Sequence, residues 1–518
     1  MDVIGLLGIV AGLALLVGFS YRGWTVLLLA PAAALVAAAL SSQPVLAHWT
    51  QVFMPAAAGF LAQFFPLFLM GAIFGKLMED SGSVRAIAGF MTGWLGPRRA
   101  LLAVVLAGAA VTYGGVSLFV AFFVLAPMGH AMFRAADLPP RLMPAAIALG
   151  TSTFTMSALP GTPAIQNAIP MPFFGTTAFA APGLGLIAAA IMLGFGLWWL
   201  GVVERRARRA GEGYRAPGPT RDAATDPLLR ERGNMAGHFD PAELSSPDER
   251  RQLDLFGVEV DGGSTIAAAA TPGAPVGSGS FNGLGPPGIV AAALPLLVVV
   301  GINLLASLVV LPRLDTGYLA ERRFGGVDLS AVGGVWAVLV ALFVANLVLV
   351  ALHWRRLADL KRSIDAGANA AVLPVLSVAS LVGFGAVVAS LPAFGLVKDW
   401  VLGIEGGPLV SLAVSTNLLA ALTGSASGGL TIALEALGPT FMQVAHTTGL
   451  DPALLHRVAV IGAGTLDSLP HNGAVVSLLA VCGCTHKESY RDIVVVGIVG
   501  ALLALVAVIV LGGIFGSF

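Results

Sequence analysis

Residues 493–516 form an unbroken run of aliphatic, aromatic and glycine residues with no charged, amide or hydroxyl side chain. About 20 such residues in a helix match the hydrocarbon thickness of a bilayer. Similar stretches occupy 2–19, 24–41, 56–77, 100–112, 176–201, 287–311, 332–353 and 370–391. The chain is 57% hydrophobic and 11% charged, where water-soluble domains carry about 25% charged residues. It therefore lacks the material for a water-facing surface. The expected fold class is an all-α polytopic membrane protein in the lipid bilayer. The start, Met1-Asp2-Val3, lacks the basic region of a secretory signal, so the first segment is expected to stay as a helix.

Composition also removes several function classes. The 28 basic and 28 acidic residues cancel, so no nucleic-acid partner is expected. Cys482 and Cys484 are the two cysteines, too few for a disulfide framework or a four-cysteine zinc site. No cofactor and no metal is expected. A phosphate-binding Gly-x-x-x-x-Gly-Lys-Ser/Thr loop is absent, which argues against an ATP-driven pump. No nucleophile–base–acid set points to an enzyme.

The segments 113–175 and 408–484 are apolar but broken by Gly, Pro, Ser and Thr. Non-helical backbone cannot face lipid, because its polar groups would go unpaired. It is tolerated where it lines an enclosed cavity, which is where carriers bind substrate. Each segment can hold two short helices and a reversal. Residues 202–286 differ: ten arginines, twelve acids and many Gly, Pro and Ser predict a disordered loop. It would divide the chain into repeats at 1–201 and 287–518. Basic clusters at Arg98 and Arg99, at Arg205 to Arg209, and at Arg355 to Arg362 place those ends and the loop in the cytoplasm. The halves then have opposite topology. Thr112-Tyr113-Gly114-Gly115-Val116-Ser117 and Leu422-Thr423-Gly424-Ser425-Ala426-Ser427 stand 310 residues apart, as do Thr155-Met156-Ser157-Ala158-Leu159-Pro160 and Thr465-Leu466-Asp467-Ser468-Leu469-Pro470. This is the expectation of two inverted-topology repeats with broken helices.

Polar groups concentrate at the breaks. Hydroxyls, amides and helix N-termini with free N–H groups suit a small hydroxylated anion. The candidate substrate-binding residues are Ser117, Thr155, Ser157, Gly161, Thr162, Asn417, Ser425, Ser427, Thr465 and Asn472. Ionisable residues at membrane depth tend to be functional. Asp467 and His471, flanking the Leu469-Pro470 break, and Glu435, alone in an apolar helix, are the candidates for carrying a proton.

The run from Ser415 to Gly438, STNLLAALTGSASGGLTIALEALG, resembles the hallmark stretch of the gluconate permease (GntP) family. Leu466 to Val475, LDSLPHNGAV, and Gly75 to Gly82, GKLMEDSG, are further matches. The resemblance implies a secondary carboxylate transporter with paired re-entrant hairpins, elevator-type movement, proton coupling and a scaffold that forms a homodimer. Tyr113 to Ser117 and Ala158 to Asn167 look more like members linked to hydroxybutyrate than to gluconate. The expected function is import of a small (hydroxy)monocarboxylate by proton symport across the bacterial inner membrane. Alternatives are a sodium-coupled carrier and an uncoupled channel or exporter.

Overall fold

A computed structural model describes residues 2–20, 24–215, 285–324, 326–357, 359–470 and 472–518. Among them there is helix and no strand. The first half contains α1 (Asp2–Ser20), α2 (Val26–Leu40), α3 (Val45–Asp80), α4 (Ser83–Leu95), α5 (Ala100–Tyr113) and α6 (Leu118–Ala135). It continues with α7 (Met143–Thr151), α8 (Phe154–Ser157), α9 (Ile165–Ala168), α10 (Pro170–Phe174) and α11 (Pro182–Arg209). The second half contains α12 (Ile289–Arg313), α13 (Leu329–His353), α14 (Leu360–Ser390), α15 (Phe394–Leu402), α16 (Pro408–Thr423) and α17 (Ala426–Thr448). It ends with α18 (Pro452–Thr465), α19 (Gly473–Val481) and α20 (His486–Phe515).

Every apolar stretch named above lies largely in helix. Six helices among the described residues are long and apolar enough to cross a membrane, or seven if α4 and α5, bent by 100°, are one span. The protein is a multi-pass membrane protein. One boundary is corrected. Residues 202–209 are the end of α11, not the start of a loop. Arg208 bonds Glu204 one turn back, at 2.9 Å, so the charges there prolong a helix beyond its apolar part. Residues 216–284, most of the expected disordered loop, lie outside the described residues.

Glycine and alanine set the packing. A methyl at Gly367 of α14 would stand 2.8 Å from the Ile73 Cα of α3, so these helices touch backbone to backbone. One at Gly12 of α1 would meet the Ala33 carbonyl of α2 at 2.7 Å. Membrane helices gain little from the hydrophobic effect against each other, and close approach replaces it. Large apolar side chains such as Leu297, Trp198, Val506 and Leu347 stay exposed, as lipid-facing surface requires.

The two halves share an order of elements. α5 and α6 form a helical hairpin with a non-helical tip at 114–117, then α7 rises to a break before α9. In the second half α16 and α17 form a hairpin with its tip at Gly424 and Ser425, then α18 runs to a break before α19. Gly424 takes φ +64° and ends α16, a conformation that strains any residue with a Cβ.

Candidate functional site

The second break is built around one amide. Asn472 caps α19, its Oδ1 accepting from the N–H of Ala474 at 2.7 Å. Its Nδ2 donates to Gly424 O in the hairpin tip at 2.8 Å and to Asp467 Oδ1 at 2.6 Å. Asp467 Oδ1 also accepts from the backbone N–H of Ala426, the first residue of α17, at 2.8 Å. Ser425 Oγ accepts from Gly428 N–H at 3.1 Å and lies 3.3 Å from Ser427 Oγ. The sequence predicts a helix N-terminus left open for a substrate carboxylate here. Instead, two of its first-turn N–H groups are taken from within the chain, one by a carboxylate.

The first break is held differently. Tyr113, beside the first tip, donates its hydroxyl to Pro160 O at 2.8 Å. A methyl at Gly115 would stand 2.8 Å from Pro163 Cγ, so tip and break lie in contact. Asn167 Nδ2 donates to Thr162 O and Ala178 O, each at 3.0 Å, and Gly161 N–H also reaches Ala178 O, at 2.8 Å. The Asn167 Oδ1 meets His456 Nε2 of α18 at 3.2 Å. An amide oxygen can only accept, so His456 carries its proton on Nε2. Its Nδ1 then accepts from the Thr176 hydroxyl at 2.6 Å. Arg457, 0% exposed, donates from Nε and Nη2 to Ala180 O at 3.1 and 2.6 Å and from Nη1 to Ser157 O at 3.3 Å.

The breaks therefore meet. Besides the Arg457 bond, a methyl at Gly464 of α18 would stand 3.0 Å from Ser157 Cβ. Gly464 and Arg457 are two turns apart, so one face of α18 presents both to the first break. α6 packs against α19, and α17 against α9 and α10.

The candidate residues divide by what their polar atoms do. Thr155 donates to Thr151 O at 2.9 Å, Ser157 to Thr153 O at 3.0 Å and Thr465 to Ile461 O at 2.7 Å. Their donors are spent on backbone carbonyls four residues back, and their lone pairs remain. Thr162 Oγ1 accepts from Ala164 N–H at 3.3 Å, and Gly161 takes φ +81°. Asn417 Nδ2 donates to Ala413 O at 2.8 Å, while its buried Oδ1 has no partner among the described residues. Gln166 Oε1, beside the first break, is orphaned in the same way. A buried acceptor left unpaired costs about 1–3 kcal/mol, so these two oxygens are open to a ligand. Ser117 and Ser427 are buried in the tips. Glu435 lies on α17, three turns from the tip, and is half-buried. His471 lies outside the described residues.

Sequence reasoning missed His456, Arg457 and Asn303. Asn303 of α12, 0% exposed, donates to Gly161 O at 3.2 Å. A His-Arg pair inside the apolar stretch 452–465 was the available signal. No group of His, Cys, Asp and Glu among the described residues could hold a metal ion.

Residues 1–178 match the family model described as GntP family permease. The chain is 37% identical over 514 residues to a Bacillus subtilis (strain 168) protein named uncharacterized transporter YxjC, with 98% of both chains covered. The crystal structure of the YdaH transporter of Alcanivorax borkumensis, described as revealing an unusual topology, is similar at 16% identity and a TM-score of 0.49, over 89% of this chain and 87% of that one. The family model and the full-length relative point to a transporter, not an enzyme, and the chain belongs to the GntP permease family.

Proposed function

We propose that the protein imports a small (hydroxy)monocarboxylate with a proton across the bacterial inner membrane, binding it where the two tips and two breaks meet. The observation that carries this reading is the pairing of each tip with its own break, with the breaks touching at Ser157 and Gly464. Hydroxyls, two orphaned amide oxygens and the Asp467 carboxylate collect in that region. Asp467 takes the role of proton carrier, since its carboxylate joins the tip of α17 to the second break. Glu435 is the reserve candidate.

The shared element order, with the basic helix ends, supports two inverted repeats, one ending with α11 at Arg209 and one at 287–518, around the insertion between them. In this reading the hairpins and broken helices move as an elevator against α3 and α14, in a homodimer. The test is uptake into proteoliposomes with and without an inward proton gradient. 3-Hydroxybutyrate, lactate and gluconate serve as substrates and competitors. Accumulation of at least one acid that collapses with the gradient is the expected result, and uptake indifferent to the gradient refutes proton coupling. A second reading, sodium coupling, is favoured by the orphaned Asn417 Oδ1 and is read by imposing a sodium gradient instead.

A further inference from the structure

The first break carries a fixed positive charge, whereas the second carries the ionisable Asp467 carboxyl. Arg457 is 0% exposed, and among the described residues it forms no ion pair. Its donors go to the carbonyls of Ser157, the last residue of α8, and of Ala180. Gly185 of α11 makes room for it: a methyl there would stand 3.3 Å from Arg457 Nε and 3.4 Å from Cζ. An arginine stays protonated throughout the range in which proteins function. A charge in that position costs much to bury, and its bonds to neutral carbonyls leave its field unbalanced.

We propose that Arg457 gives the first break a permanent positive charge that seats the carboxylate of the transported acid there. Three observations converge. α7 and α8 end at this break, so their carbonyl ends would turn a negative potential toward a bound anion. Arg457 reverses that potential by donating to the α8 end. The other break has no such cation among its described contacts, and its α17 N-terminus already holds the Asp467 carboxylate, which repels a second one. Ser157, whose carbonyl Arg457 holds, faces Gly464 at the crossing of the breaks, so the charge sits beside the contact between them. The division of labour is an anion at the first break and a proton at the second. This rests on the carboxylate reading above, and its test is made independent of any substrate.

Half-buried Leu159, two residues beyond Ser157, is replaced by Cys in a Cys482→Ser, Cys484→Ser background. The rates of reaction with anionic sulfonatoethyl methanethiosulfonate and cationic trimethylammonioethyl methanethiosulfonate are then compared. Their ratio, normalised to free cysteine, cancels any change in the thiol itself and reads the local potential. With Arg457 present, the ratio should favour the anionic reagent by about tenfold. It should persist in Arg457→Lys and vanish in Arg457→Gln. No anionic preference with Arg457 present, or a preference that survives in Arg457→Gln, overturns the proposal. If Arg457→Gln fails to insert, the Arg457 protein's own ratio decides. Failure of the wild type to carry any of the three acids would refute the carboxylate reading alone and leave this measurement standing.

Discussion

Asn472 Nδ2 lies 2.6 Å from Asp467 Oδ1 and 2.8 Å from Gly424 O, so a single amide ties the second hairpin tip to the second break. Removing it undoes this tie and a helix cap at once. Asn472→Ala loses the cap of α19, worth about 0.5–2 kcal/mol. It also leaves the Gly424 carbonyl unpaired, at about 1–3 kcal/mol. The midpoint of thermal unfolding in detergent should fall clearly, with substrate affinity lost. An unchanged midpoint would show that water replaces the amide.

Asp467→Asn keeps an oxygen that can accept from Ala426 N–H but removes the exchangeable proton. Uptake driven by an inward proton gradient should collapse, while exchange against preloaded substrate stays measurable. Accumulation equal to wild type would exclude Asp467 as the coupling group. Loss of exchange as well would assign it to binding, and Glu435→Gln would be measured next.

The second hairpin should tolerate no added volume between its arms. A methyl at Gly429 would press into the Ala420 backbone of α16. Gly429→Ala should therefore destabilise by about 1–3 kcal/mol, the usual cost of overpacking. Gly59→Ala in α3 meets nothing within 4 Å and should be neutral or slightly stabilising. Thermal unfolding of the pair separates packing from helix propensity, and equal shifts would refute the packing account.

The segment after α11 is predicted to matter more than the long insertion that follows it. Arg141, in the turn between α6 and α7, pairs with Glu212 at 2.8 Å and with Asp492 at 3.4 Å. Tyr214 N–H donates to Asp137 at 2.8 Å, and the Arg134 guanidinium lies 5.2 Å from the Tyr214 ring centre. Replacing 216–284 by a Gly/Ser linker keeps all of these contacts and should leave substrate affinity near wild type. Replacing 210–284 removes Glu212 and Tyr214 and should lower both stability and uptake. If the two deletions behave alike, the contacts carry no weight.

In the site, Ser425→Leu should abolish binding, because it removes the hydroxyl that accepts from Gly428 N–H and fills the tip. Thr155→Val removes a lone-pair acceptor and should weaken binding more mildly. Isothermal titration with the transported acid would measure both, and unchanged affinity in both would place the substrate elsewhere.

The helices were legible because their signal is local: apolar length for the spans, Gly424-Ser425 for a tip, Leu469-Pro470 for a break. The end of α11 was not, because Glu204 and Arg208 look like loop composition until their one-turn spacing is counted. The clasp on the first break left one local trace, the His456-Arg457 pair in an apolar stretch, and none of its partners. Arg457 and Ala180 are 277 residues apart, and Arg457 and Ser157 are 300 apart. The occupied N-terminus of α17 was hidden for the same reason, since Ala426 and Asp467 are 41 residues apart.

That long separation has a consequence for the nascent chain. Part of the bonding at the first break comes from His456 and Arg457, and Arg457 follows Ala180 by 277 residues. At about 5–20 residues per second, a ribosome needs roughly 15–55 s to supply them. For that interval the Ser157 and Ala180 carbonyls wait in the bilayer without their donors, and other partners must shelter them. The first half thus stays unfinished until the second is made, and its completion is timed by synthesis of the second.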